Sequence, residues 1–143
     1  MELGPGTGGT TRALLGAMRT DAELLAIEIN QRFATLLDQG PDPQLRVHQG
    51  SAAEIRKALE AHGLERPQAV VSGIPFSTME HEVAREIMRA VHDVLAPGGV
   101  FVAYQVRSHV EAFGQEVFGP GRVQREVLNV LPVRVYRWEK RAE

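Results

Sequence analysis

Two acidic residues and a run of glycines have the types and spacing for chemistry on a nucleotide-like ligand. Glu2 and Leu3 lead straight into Gly4-Pro5-Gly6-Thr7-Gly8-Gly9, and a helical pattern follows. Glycine accepts positive φ and lets a ligand approach the backbone closely. A helix N-terminus adds amide groups that lack intrahelical partners and a positive dipole end. Such a turn suits a nucleotide-like ligand or a carboxylate. Glu28 follows the glycines by about 20 residues, where a carboxylate can accept hydrogen bonds from both hydroxyls of a ribose. Ile29 beside it can pack on the flat face of a purine, and Gly50-Ser51-Ala52 can offer backbone or hydroxyl contacts to a base edge.

These residues fall at the ends of predicted strands. A helix is expected over 10–18, with Ala13, Leu14, Ala17 and Met18 at helical spacing. Residues 23–29 read as a strand buried on both faces. Asn30 then caps a helix whose apolar stripe is Phe33, Leu36 and Leu37, ended by Gly40-Pro41-Asp42-Pro43. A weaker strand covers 45–48. Ser51 is an N-cap for a helix to Ala61, with Glu54 as its capping-box partner. The fourth strand is 69–72, followed by a non-helical knot, Gly73-Ile74-Pro75-Phe76. A long helix over 78–95 carries Val83, Ile87, Val91, Val94 and Leu95 on one side, and Pro97-Gly98-Gly99 stops it. The fifth strand is 100–106. Residues 108–118 form a short helix or irregular segment broken by Gly114, and strands over 123–129 and 132–139 close the chain as an antiparallel hairpin. Alternating strands and helices make an α/β fold with a mostly parallel, Rossmann-like sheet, here expected as one domain over 1–143. Ligands bind outside the carboxyl ends of such strands.

The 143 residues suffice for a real core, and 43% are hydrophobic. The net charge of −2 gives no global argument for nucleic acid. Charge is uneven, however. Residues 1–106 hold nine Lys/Arg against thirteen Asp/Glu, whereas 107–143 hold seven against five. The basic final third suits either a phosphate-facing surface or a solvated hairpin face. The absence of cysteine excludes disulfides and thiolate metal sites. The five histidines, at 48, 62, 81, 92 and 109, lack ligand spacing, so no metal site is expected. With no signal-peptide pattern and no long apolar run, the expected location is cytoplasmic, with a peripheral position at the inner membrane surface as a variant.

Gly4, Gly6 and Gly9 also satisfy the G-x-G-x-x-G fingerprint, so an NAD-dependent oxidoreductase is the outside rival. The closing hairpin and the lack of a second domain for hydride transfer argue against it. Glu2-Leu3-Gly4-Pro5-Gly6-Thr7-Gly8 resembles motif I of the class I S-adenosylmethionine-dependent methyltransferases, and Glu28 stands where that family places its ribose-binding acid. Ser72-Gly73-Ile74-Pro75-Phe76 is similar to a segment of bacterial phospholipid N-methyltransferases, and more distantly to one of ribosomal RNA adenine dimethyltransferases. Asn129 to Arg137 resembles the segment that ends the phospholipid enzymes. Position 72 is Ser where the RNA enzymes carry Asn, which argues against RNA. Ser51 stands where many class I enzymes carry an adenine-binding Asp.

The resemblance implies S-adenosylmethionine as cofactor and S-adenosylhomocysteine as product. Glu2, Gly4, Gly6, Thr7 and Gly8 would hold the methionine end, Glu28 the ribose and Ile29 the adenine, with Gly50, Ser51, Ala52 and Ser72 completing the site. The acceptor implied is an amine, first of all a phosphatidylethanolamine-type phospholipid, and second a ribosomal RNA adenine. Ser72, Pro75 and Phe76 would form the floor under the methyl group and Tyr104 the opposite wall. Arg107 or Arg134 would meet a head-group phosphate, and His81 is the candidate base. A cofactor-binding remnant without turnover is the reading from another class.

In the fold so implied, the first strand is central. Here it is a stub, Met1-Glu2-Leu3, as in a chain truncated at its N-terminus. Four or five missing buried residues would each contribute roughly 1.5–3 kcal/mol, on the order of a whole domain's stability of about 5–15 kcal/mol. The expectation is a homo-oligomer in which a neighbouring copy covers the gap.

Overall fold

The computed structural model describes all residues except 41, 128–131 and 143. The chain divides into two compact units, Met1–Glu65 and Arg66–Glu143.

The first unit comprises β1 (Glu2–Leu3), α1 (Gly9–Ala17), β2 (Leu24–Glu28), α2 (Gln31–Asp38), β3 (Leu45–Gln49) and α3 (Ile55–Ala61), the last preceded by a 3₁₀ turn at Ala52–Glu54. Its strands lie in the order β3-β2-β1 and all run parallel. Every residue of β2 is buried, as its unbroken apolar run predicts. The stub β1 does form, with Glu2 opposite Ala26 and Leu3 opposite Ile27. Asn30 caps α2 as expected, its Oδ1 accepting from the Arg32 and Phe33 amides at 2.9 and 3.3 Å. The stripe of α2 differs from the prediction. Ala34 and Leu37 are buried, whereas Phe33 and Leu36 face solvent. The buried pair are i and i+3, and Phe33 and Leu36 both lie beyond Leu37 on the solvent side of that stripe. Ser51 caps the next turn through Oγ, which accepts from the Ala53 amide at 3.2 Å. The Glu54 carboxylate pairs with Lys57 in place of the expected reach back to Ser51.

The second unit holds β4 (Ala69–Ser72), a 3₁₀ turn (Phe76–Thr78), α4 (His81–Val94), β5 (Val100–Gln105), α5 (His109–Phe118), β6 (Arg122–Glu126) and β7 (Val133–Glu139). The strand order is β4-β5-β7-β6. β4 and β5 are parallel, and β7 is antiparallel to both β5 and β6. The expected hairpin is therefore present, with β6 ending at Glu126. Residues 128–131, including the start of the Asn129–Arg137 segment, lie outside the described residues. Helix α4 begins later than predicted, because residues 76–78 take a tighter turn and Glu80 is extended. Its buried stripe is Ala84, Ile87, Met88, Val91 and Val94, and Val83 is exposed.

Gly114 does not break α5. A Cβ there would run into the Trp138 indole, and so would one on Gly121. Both glycines make room for the largest side chain of an aromatic core in which Trp138 stacks on Phe101 at 5.7 Å and on Tyr136 at 5.6 Å.

Candidate functional site

In the first unit the chain leaves β1 through three left-handed glycines, Gly4 (φ 69°), Gly6 (φ 57°) and Gly8 (φ 87°). The Gly4 amide donates to the Ile27 carbonyl at 3.0 Å, and the Gly8 amide to the Pro5 carbonyl at 3.0 Å. Gly8 then caps α1, with no side chain turned on the helix's first amides. A Cβ on Gly6 would meet open space, whereas one on Gly8 would come within 2.7 Å of a Leu37 methyl. Gly6 thus keeps the surface of the turn clear, and Gly8 lets the turn sit down on α2. Thr7 is exposed on the turn.

Two buried carboxylates bracket this turn. Glu28 Oε2 accepts from the Gly6 amide at 2.9 Å and Oε1 from the Asn30 amide at 2.9 Å. A carboxylate has about four lone-pair sites, so each oxygen retains acceptor capacity. Glu2 is fully buried. Its Oε2 accepts from the Thr11 hydroxyl at 2.6 Å, while Oε1 has no hydrogen-bond partner among the described residues. Burial pushes the Glu2 carboxyl up from its ordinary range, against the Thr11 hydrogen bond, and the nearby Glu28 carboxylate adds to the rise. Thr11 is the one residue of α1 that is buried, and its tie to Glu2 was not evident from helical spacing.

Ile29 is 70% exposed directly after a wholly buried strand. The Gly50 amide donates to the Glu28 carbonyl at 3.0 Å. Ser51 is half-buried with Oγ engaged as a cap, and Ala52 is buried behind it. The structure therefore sets Glu28, Ile29 and the Gly50–Ala52 turn at the carboxyl ends of the neighbouring strands β2 and β3.

In the second unit the loop after β4 is held from inside. The buried Ser72 Oγ accepts from the Ile74 amide at 3.2 Å. Tyr104 lies so close over Gly73 that a Cβ there would strike its ring and hydroxyl. The buried Gln105 donates from Nε2 to the Ile74 carbonyl at 2.7 Å and accepts at Oε1 from the Phe76 amide at 3.3 Å. Gln105 had no role in the sequence reading. The available signal was strand alternation, since Phe101, Ala103 and Gln105 all point to the buried face of β5.

Gly73, Pro75, Tyr104, Gln105, Val106 and Arg107 share an open cavity of about 290 Å³ with Ser77 and Val133. Ser72 and Phe76 are buried and are not among its lining residues. His81 is exposed on the first turn of α4, edge-on to Phe113 at 5.6 Å, and lines a separate depression with Glu80 and Arg85. Arg134 donates to the Val106 carbonyl at 2.7 Å, so it braces the strand end. Arg107 is the exposed cation on the cavity wall.

Solved structures with the same arrangement of elements include methyltransferases. The N-methyltransferase NodS of Bradyrhizobium japonicum WM9 matches with a TM-score of 0.79 at 13% identity, covering 98% of this chain and 84% of NodS. The chain has the class I methyltransferase fold. Magnesium protoporphyrin IX methyltransferase (ChlM) of Synechocystis PCC 6803, solved with bound SAM, matches at a TM-score of 0.73 and 12% identity over 97% of this chain and 68% of ChlM.

Sequence relatives of this methyltransferase-fold chain are enzymes of the same class. An ornithine lipid N-methyltransferase of Singulisphaera acidiphila is 32% identical over 103 residues, 71% of this chain and 54% of the relative. A ribosomal RNA small subunit methyltransferase A of Phenylobacterium zucineum is 39% identical over 79 residues, 54% of this chain and 26% of the relative. The chain thus spans about half the length of the first and a quarter of the second. No family model matches the chain. Among the described residues no helix is long and apolar enough to cross a membrane, and no group of three or more His, Asp or Glu is placed to hold a metal.

Proposed function

We propose that this chain binds S-adenosylmethionine and transfers its methyl group to the amine of an aminolipid, of which a phosphatidylethanolamine-type phospholipid is the first choice. The observation that carries the reading is the pair of buried carboxylates, Glu2 and Glu28, on either side of a glycine turn whose middle position no side chain enters. The residues fit the cofactor. Glu2 Oε1, which has no hydrogen-bond partner among the described residues, would accept from an ammonium group, and the Thr7 amide and the first amides of α1 suit a carboxylate. The remaining lone pairs of Glu28 suit ribose hydroxyls, and the exposed Ile29 offers an apolar surface to a purine.

S-adenosylmethionine supplies a methyl group activated on a sulfonium centre. This chain has to hold the acceptor nitrogen in line behind that group, within about 3–3.5 Å, and exclude water. Pro75 and Tyr104 line the cavity that would receive the amine, and Arg107 would hold an anionic group carried with it. The nitrogen must be neutral to attack. His81, the candidate base, lines the neighbouring depression, which shares Ser77 with this cavity, so it would take the proton only through an intervening water.

The lipid relative covers more of this chain than the ribosomal RNA relatives do. Those RNA relatives favour adenine methylation as the second reading, against which stands Ser72. The test is methyl transfer from labelled S-adenosylmethionine to vesicles containing phosphatidylethanolamine, to vesicles containing ornithine lipid, and to ribosomal RNA. Label in either lipid is expected, with Arg107→Ala raising KM about tenfold, the value of one charge-assisted contact. Label in RNA alone would overturn the lipid reading. Cofactor binding without transfer to any of the three would favour the remnant.

A further inference from the structure

Gln105 is a polar side chain on the buried face of β5, only 6% exposed, and both ends of its amide are used. It meets a turn with unusual needs. Pro75 has φ −77° and ψ 85°, close to the centre of an inverse γ-turn, and the Phe76 amide donates back to the Ile74 carbonyl at 3.0 Å. Pro75 has no amide hydrogen, so the turn cannot be extended into a strand ladder. A γ-turn bond alone is weak, and its polar groups lie beside buried Phe76, where unmet hydrogen bonds are costly. Gln105 gives each of these groups a second partner: its Nε2 caps the Ile74 carbonyl and its Oε1 receives the Phe76 amide. A carbonyl at one end and an N–H at the other fix the orientation of the side-chain amide.

We propose that Gln105 is a positioning residue that clamps the Ile74–Phe76 turn and so fixes Pro75 in the acceptor cavity. This inference rests on the reading of that cavity as the acceptor site. The neighbouring Tyr104 acts on the same loop from the other face of the strand, over Gly73. Two consecutive residues at the end of β5 thus set the position of the loop.

Gln105→Glu separates clamping from mere space filling. An ionised carboxylate can still accept from Phe76 but repels the Ile74 carbonyl, and a protonated one restores both contacts. Burial raises a carboxyl's pKa above its usual value near 4.3, so rescue is expected in mildly acidic solution. With phosphatidylethanolamine vesicles, Gln105→Glu should lower kcat at least tenfold at pH about 8. Its rate relative to wild type should recover severalfold by pH about 5.5. Gln105→Leu should be low throughout. S-adenosylhomocysteine should bind both variants within about twofold of wild type, which shows that they fold.

Amide hydrogen exchange supplies a readout independent of turnover. In Gln105→Leu the Phe76 amide should exchange at least tenfold faster while the β5–β7 ladder is unchanged. A pH-independent ratio for Gln105→Glu, or unchanged Phe76 protection in Gln105→Leu, would overturn the proposal. A wild-type chain that transfers methyl to none of the acceptors would count against the function reading, and the exchange measurement would then decide the clamp.

Discussion

Glu2 is the residue at which the fold and the proposed site ask for opposite things. Its buried carboxyl is raised above the unfolded value near 4.5. A raised folded-state value means that Glu2's stability contribution is full below that pH and is lost as pH rises through the folded value. Glu2→Gln should therefore melt several degrees above wild type at pH about 7, with the difference closing as pH falls toward about 4. Thermal unfolding across that range checks this, and parallel curves would refute it. At this scale the sequence shows the glycine turn and Glu28, because glycine runs and an acid at the end of a strand are local signals. It hides Thr11 and Gln105, since their partners, Glu2 and the Ile74–Phe76 turn, lie 9 and up to 31 residues away.

At the scale of elements, α4 depends on a residue well outside it. Lys140 reaches back from the end of β7 and donates to the His92 and Leu95 carbonyls at 2.9 and 3.0 Å. These are among the carbonyls that a helix C-terminus leaves unpaired, and a cation there also suits the helix dipole. Lys140→Met keeps the aliphatic stem and removes the ammonium. It should cost about 1–3 kcal/mol, from two hydrogen bonds worth about 1 kcal/mol each and the two carbonyls left behind. Urea unfolding measures this, and a change under about 0.5 kcal/mol would show that water replaces the cap. Strand positions were legible because runs such as Leu24–Glu28 and Val100–Gln105 are short, apolar and bounded by turn residues. The margins of α4 and the role of Gly114 were not. The first depends on the tight turn at Phe76–Thr78, and the second on the Trp138 ring that fills the space beside it.

At the scale of the whole molecule, the alternation of strands and helices and the closing hairpin were enough to read the fold, and the methyltransferase neighbours agree with it. The acceptor is far less legible. Sequence likeness points both to a lipid enzyme and to ribosomal RNA enzymes. The loop that follows Ser72, where the chain departs from the RNA enzymes' pattern, takes its shape from contacts such as those of Gln105. The central claim is that the two carboxylates and the turn between them form an S-adenosylmethionine site. Calorimetric titration of the chain with S-adenosylhomocysteine, beside Glu28→Ala and with NAD as control, tests it most directly. The account predicts micromolar binding that Glu28→Ala weakens at least tenfold, about 1.4 kcal/mol, and no heat with NAD. Binding of NAD in place of S-adenosylhomocysteine, or S-adenosylhomocysteine binding indifferent to Glu28, would contradict it.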